Sequence, residues 1–222
     1  MASTVEFIDG AAGPIEVALD TPDAERFATP RGFALVGHPH PLFGGTNTNK
    51  VVMTIARALV QLGFIVARPN FRGVGKTAGE HDAGKGEADD NTLVARTLIA
   101  RFQPASVVLG GFSFGSFVTT HVAQRLADDG VAIEKLVLAG TATSRWNVLP
   151  VPAGSLVVHG ELDDTVPLSS VLDWARPQDL PVVVVPGADH FFHRKLVPLK
   201  HLVLDALAPR ILPADEAGDD AA

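Results

Sequence analysis

The chain has 222 residues, 46% of them hydrophobic, which suits one α/β domain with a continuous core and argues against disorder. A net charge of −7 gives no electrostatic support to a nucleic-acid or anionic-membrane partner. The absence of cysteine excludes disulfides, thiolate catalysis and cysteine-based zinc sites.

Residues 4–8 and 14–20 read as a β-hairpin, with Val5, Phe7, Ile15, Val17 and Leu19 in alternation and Gly10 to Pro14 as the connection. Residues 21–31 are polar and carry two prolines, a loop. Gly32 to Gly37 is a short apolar strand that runs into His38-Pro39-His40-Pro41-Leu42-Phe43-Gly44-Gly45, too dense in proline and glycine for helix or strand. Val52, Ile55, Ala56, Leu59 and Val60 recur at helical spacing between Asn49 and Leu62, and Gly63 ends that helix. Phe64 to Pro69 is the next strand, and Phe71 to Glu87, rich in glycine and charge, a long surface loop.

Helical spacing returns from Asp89 to Phe102. Val107 to Phe112 is a buried strand, and a helix follows it to about Asp128, ending at Gly130. Lys135 to Gly140 and Ser155 to Gly160 are further buried strands, Leu168 to Ala175 a short helix, Pro181 to Pro186 a strand, and His190 to Leu207 a closing helix. The domain is expected to span residues 1–208, with 209–222 an acidic, flexible tail. Apolar runs without alternation that take turns with helices predict a mainly parallel, doubly wound sheet with an antiparallel N-terminal hairpin. Such sheets bind ligands outside the carboxyl ends of their strands. The chemically suggestive loops all fall there. No basic region followed by an apolar core opens the chain and no run approaches a membrane span, so a cytoplasmic protein is expected.

Gly111-Phe112-Ser113-Phe114-Gly115 sits where a strand turns sharply into a helix, the G-x-S-x-G pattern of a nucleophile elbow. The turn exposes the hydroxyl, small neighbours let the backbone pass, and the helix N-terminus faces charge that develops beside it. A serine needs a base, and the base an orienting acid. His159-Gly160-Glu161-Leu162-Asp163-Asp164 offers the acid after one strand, with Asp164 competing against Asp163. Gly187-Ala188-Asp189-His190 offers the base after another. Ser113, Asp163 and His190 thus occur in the order of an α/β-hydrolase triad. Ser116, one turn into the helix, packs or caps. One oxyanion donor is expected from the N–H of Phe114, the residue after the nucleophile.

The chain resembles an α/β-hydrolase, in particular the small, lidless, dienelactone-hydrolase-like group with an HPHPxxGG loop. The resemblance spans about residues 5 to 207. It rests on His38 to Gly45, on Arg72-Gly73-Val74-Gly75-Lys76-Thr77, on the elbow, on His159-Gly160-x-x-Asp163-x-x-Val166-Pro167, and on Gly187-x-Asp189-His190-Phe191-Phe192. It implies Asp163 as the acid and a second oxyanion donor on the loop after the Phe33–Val36 strand. Pro39 and Pro41 have no N–H, which leaves His38 and His40 as donors within His38–Pro41; similarity to the family's His-Gly-x loop selects the N–H of His40, with that of Leu42 the alternative.

The stretch from Thr141 to Gly154 leaves no room for a substantial cap, so the site is expected to be open. Leu42, Phe43, Phe112, Phe114 and Phe191 are expected at its rim, and Leu42, Phe43, Trp146 and Phe191 against the substrate; Trp146 could equally cover the core. His38-x-His40 is not read as a metal site, for want of a third ligand at fitting spacing; the two histidines are read instead as shaping and hydrogen-bonding the oxyanion loop. Gly75-Lys76-Thr77 lacks the first glycine of a phosphate loop, Asn70 standing there, and no helix opens after Gly73-x-Gly75 for a dinucleotide. The reading is a cofactor-free serine hydrolase of small or short-chain carboxylic esters. A thioester, amide or lactone substrate, or a non-catalytic small-molecule binder on the same scaffold, are the alternatives.

Overall fold

The computed structural model describes residues 2–208; the expected tail, 209–222, lies outside the described residues. The strands are β1 (Ala2–Gly10), β2 (Gly13–Thr21), β3 (Gly32–Gly37), β4 (Phe64–Pro69), β5 (Val107–Phe112), β6 (Lys135–Ala139), β7 (Leu156–Gly160) and β8 (Val182–Val185). Among the described residues they form one sheet in the order β1-β2-β4-β3-β5-β6-β7-β8. β1 and β2 pair antiparallel, β2 lies antiparallel to β4, and every pair from β4 to β8 is parallel. The helices are α1 (Lys50–Gln61), α2 (Lys85–Phe102), α3 (Phe114–Asp128), α4 (Leu168–Ala175) and α5 (Leu196–Leu207).

The central strands read as unbroken apolar runs because both faces are covered. One core joins residues of α2, α3 and α4 to the sheet, the other residues of α1 and α5. The chain leaves β3 for β4 on one side, then crosses back to place β5 on β3's other side. That reversal opens a crevice at the carboxyl ends of β3 and β5, the usual ligand position in an open α/β sheet. The loop after β3 and the turn after β5 therefore meet.

Several boundaries differ from the sequence reading. In β1 the buried side chain is Ile8, while Val5 and Phe7 are exposed on the edge strand. α2 begins at Lys85 rather than Asp89: Gly84 takes a left-handed conformation (φ 91°), and the Glu87 carboxylate accepts the Gly84 N–H at 2.8 Å. Glu87 is fully buried, so the end of the expected surface loop belongs to the interior. The closing helix begins at Leu196, not His190. Phe192 and Arg194 have φ of 54° and 59°, so residues 190–195 form tight turns instead. Pro198 then falls in α5's first turn, where a missing N–H costs nothing.

Candidate active site

Ser113 sits between β5 and α3 with φ 56° and ψ −121°, a backbone conformation that non-glycine residues rarely hold. The surroundings impose it. The Ser113 N–H donates to the Ala139 carbonyl at 2.9 Å, and the Ser113 carbonyl accepts the Ser116 N–H at 2.9 Å and the Ser116 hydroxyl at 2.5 Å. Ser116 thus caps the turn, as expected. The elbow's glycines are required by contact. A Cβ on Gly115 would stand 2.4 Å from the Gly37 oxygen and 2.5 Å from the His38 oxygen, and one on Gly111 would stand 2.4 Å from the Gly115 oxygen. The first turn of α3 is thereby pressed, backbone to backbone, against the end of β3.

The loops after β7 and β8 bring the other two groups. They are held close because Gly160 lets the Ala188 and Asp189 carbonyls approach; a Cβ there would lie 2.5 Å and 2.7 Å from those oxygens. His190 Nε2 lies 3.0 Å from Ser113 Oγ, and His190 Nδ1 lies 2.7 Å from Asp163 Oδ2. A carboxylate only accepts, so Nδ1 carries the proton and Nε2 presents its lone pair to the serine hydroxyl. Asp163 Oδ1 accepts the N–H groups of Val166 at 2.7 Å and Thr165 at 3.0 Å. Burial alone would raise the Asp163 pKa; the hydrogen bonds from His190 and Val166 outweigh it and hold the carboxyl below its ordinary range. Asp164 is exposed and makes only a 3.4 Å contact with the Thr165 hydroxyl. The geometry therefore joins Ser113 and His190 to Asp163 and leaves Asp164 outside.

A neighbour that the sequence reading passed over supports this group. His159 is fully buried; its Nε2 donates to the Val166 carbonyl at 2.9 Å and stands 3.4 Å from Asp163 Oδ2. Burial lowers its pKa and favours the neutral ring. His159 thereby fixes the turn that carries Asp163. Its place on the motif's first position was the available signal.

A cavity of about 250 Å³ opens beside Ser113. His40, Phe43, Phe114, Trp146, Ala142 and Val166 supply most of its wall, and Ser144, Arg145 and Thr165 its polar part. Of the expected substrate contacts, Phe43 and Trp146 are there. Leu42 is 70% exposed and points elsewhere, and Phe191, 45% exposed, lines a separate cleft with Lys50 and Arg194. Phe112 and Phe114 are not at an exposed rim either: both are buried, Phe112 in the core beneath the His190 ring and Phe114 as cavity wall. Trp146 fills both roles weighed for it, stacking on Phe117 at 5.1 Å while facing the cavity. No group of three or more potential metal-ligating side chains occurs among the described residues.

No family model matches the chain. It is 37% identical to XC6422 from Xanthomonas campestris, described as an α/β serine hydrolase without a lid; the match covers 92% of this chain and 93% of that one, with a TM-score of 0.85. An α/β serine hydrolase homologue from Coxiella burnetii is 34% identical, covering 94% of this chain and 99% of the other, with a TM-score of 0.81. An uncharacterized protein of Rickettsia prowazekii, RP471, is 32% identical over 184 residues, 78% of this chain and 77% of that one. The fold defines an α/β hydrolase. With relatives this similar over nearly their full length, the chain belongs to the α/β-hydrolase superfamily, beside its lidless serine hydrolases.

Proposed function

We propose that the protein is a serine hydrolase of small or short-chain carboxylic esters. The observation that carries this reading is the continuous chain of hydrogen bonds from Ser113 through His190 to Asp163, at 3.0 and 2.7 Å, with the serine held at the strained entry to α3. In the proposed reaction Ser113 Oγ attacks the ester carbonyl as its proton passes to His190 Nε2. Asp163 stabilises the imidazolium, which then protonates the departing alcohol. Water, deprotonated by the same nitrogen, cleaves the acyl-enzyme and returns the serine. Each proton taken is given back, so no cofactor is consumed.

The negative oxygen of each tetrahedral intermediate needs donors. The Phe114 N–H, at the first position of α3, has no acceptor within the helix and is one. The N–H of His40 is the better second. That of Leu42 is already directed at His40 Nδ1, at 3.3 Å, whereas the His40 N–H meets no acceptor among the described residues. The modest cavity, walled by Phe43, Phe114 and Trp146, favours a short or compact acyl group over a long chain.

A fluorophosphonate probe followed by mass spectrometry tests the reading. One adduct per chain is expected, on Ser113, with loss of activity on short-chain aryl esters in proportion to labelling. Absence of that adduct would favour a binding protein on the same scaffold.

A further inference from the structure

The loop that supplies the second oxyanion donor is held by a side chain with no place in the proton transfers above. His38 follows the last residue of β3 and is fully buried. Its Nε2 lies 2.9 Å from the N–H of Phe71, just beyond the end of β4, and its Nδ1 lies 2.7 Å from the carbonyl oxygen of Pro39. A backbone N–H can only donate, so Nε2 is the unprotonated nitrogen. Nδ1 therefore carries the hydrogen and donates it to Pro39. One ring thus spans two neighbouring strand ends in a single tautomer.

The Pro39 carbonyl belongs to the same planar peptide unit as the His40 N–H. In a trans peptide the two point in opposite directions, so a bond that fixes one aims the other. The next peptide is held as well, because the His40 carbonyl accepts the N–H groups of Phe43 and Gly45, both at 3.1 Å. On the far side, the His38 carbonyl is packed against Gly115, in the turn after Ser113.

We propose that His38 is a positioning residue for the oxyanion hole: through Nδ1–H it orients the Pro39–His40 peptide so that the His40 N–H faces the oxygen developing above Ser113. This inference rests on the serine-hydrolase reading and deepens it. A neutral ring is required, since protonation of Nε2 would face a proton with the Phe71 N–H. Burial pushes the His38 pKa down to about 4, which keeps the ring neutral. Asparagine and glutamine separate the two bonds. The Asn amide places an N–H where Nδ1 stands, while the Gln amide places its oxygen where Nε2 stands.

The test is kinetic, on the intact chain, with a short-chain aryl ester. His38→Asn is expected to keep kcat within about fivefold. His38→Gln is expected to lower kcat by about 10- to 100-fold with KM within about threefold, part of the 10²–10³ that a lost oxyanion donor costs. An equal fall in both variants, a fall confined to KM, or a larger loss in His38→Asn would overturn the proposal. Because either variant could unfold, the wild-type protein carries a second measurement. Nitrogen-15 spectra of labelled histidine should place the His38 proton on Nδ1 at neutral pH, and a proton on Nε2 would sink the idea. Ser113→Ala separates the two levels of argument. If it is inactive while His38→Gln behaves as wild type, only the role of His38 fails; if it is fully active, the serine-hydrolase reading fails with it.

Discussion

Two histidine–carboxylate pairs lie within a few residues of one another, with nearly the same geometry and very different surroundings. His190 Nδ1 is 2.7 Å from Asp163, with both side chains buried; His193 Nδ1 is 2.6 Å from Asp189, at 68% and 43% exposure. Both carboxyls are held below their ordinary range. At Asp189 the His193 hydrogen bonds dominate, whereas at Asp163 burial is the largest influence and the hydrogen bonds from His190 and Val166 must overcome it. Only His190 has a third partner, the Ser113 hydroxyl on its other nitrogen. A short histidine–carboxylate contact is therefore no signature of catalysis by itself. Removal from water and a serine hydroxyl on the second ring nitrogen distinguish the two.

Substitutions can break that contrast. The largest effects should come from the buried pair: His190→Ala and Asp163→Asn are each expected to lower kcat by about 10⁴-fold or more, because a base is lost or its tautomer and charge support are. Steady-state rates with an aryl ester check this, and a loss below tenfold in either would dissolve the distinction.

A middle-sized effect is expected in stability. The His38 pKa of about 4 in the folded chain lies below its ordinary 6.5. As pH falls the unfolded chain takes up this proton first, so the contribution is intact above about pH 6.5 and declines towards pH 4. At about 1.4 kcal/mol per pH unit the gap is worth about 3 kcal/mol. Asp163, shifted the same way, adds its loss only below the ordinary carboxylate range. Urea midpoints at pH 7 and pH 4.5 should converge for His38→Asn relative to wild type; parallel losses would refute the assignment. The smallest effect belongs to the exposed pair. His193→Ala should leave kcat within about twofold and stability within about 1 kcal/mol, and a loss approaching that of His190→Ala would erase the comparison.

Much of this was legible in the sequence because it is local. The strand runs, the elbow and the order of Ser113, Asp163 and His190 are patterns of neighbouring residues. What stayed hidden depends on the meeting of distant backbones. Phe112 ends a strand that already read as buried, whereas the burial of Phe114 as cavity wall depends on how the turn after Ser113 packs against distant loops. Leu42 and Phe191 are apolar and adjacent to active loops, yet the loops direct them away from the cavity. The bonds of His38 to Phe71 and of His159 beside Asp163 are side-chain choices among equally plausible rotamers. Pro198 could have shortened the closing helix, since a proline in mid-helix removes a bond that one in the first turn does not.

The connection from β6 to β7, residues 140–155, contains neither helix nor strand, and Trp146 is its principal contribution to the cavity wall. A hydrolase built this way carries no helical cap between β6 and β7. Its rate should follow the concentration of dissolved substrate smoothly, without the jump that a surface-triggered enzyme gives when substrate begins to form droplets. On the proposed route, bulk water would meet the acyl-enzyme without waiting for a cap to move. Selection among substrates must then come from the cavity's shape and from how fast each ester reacts, not from the timing of closure.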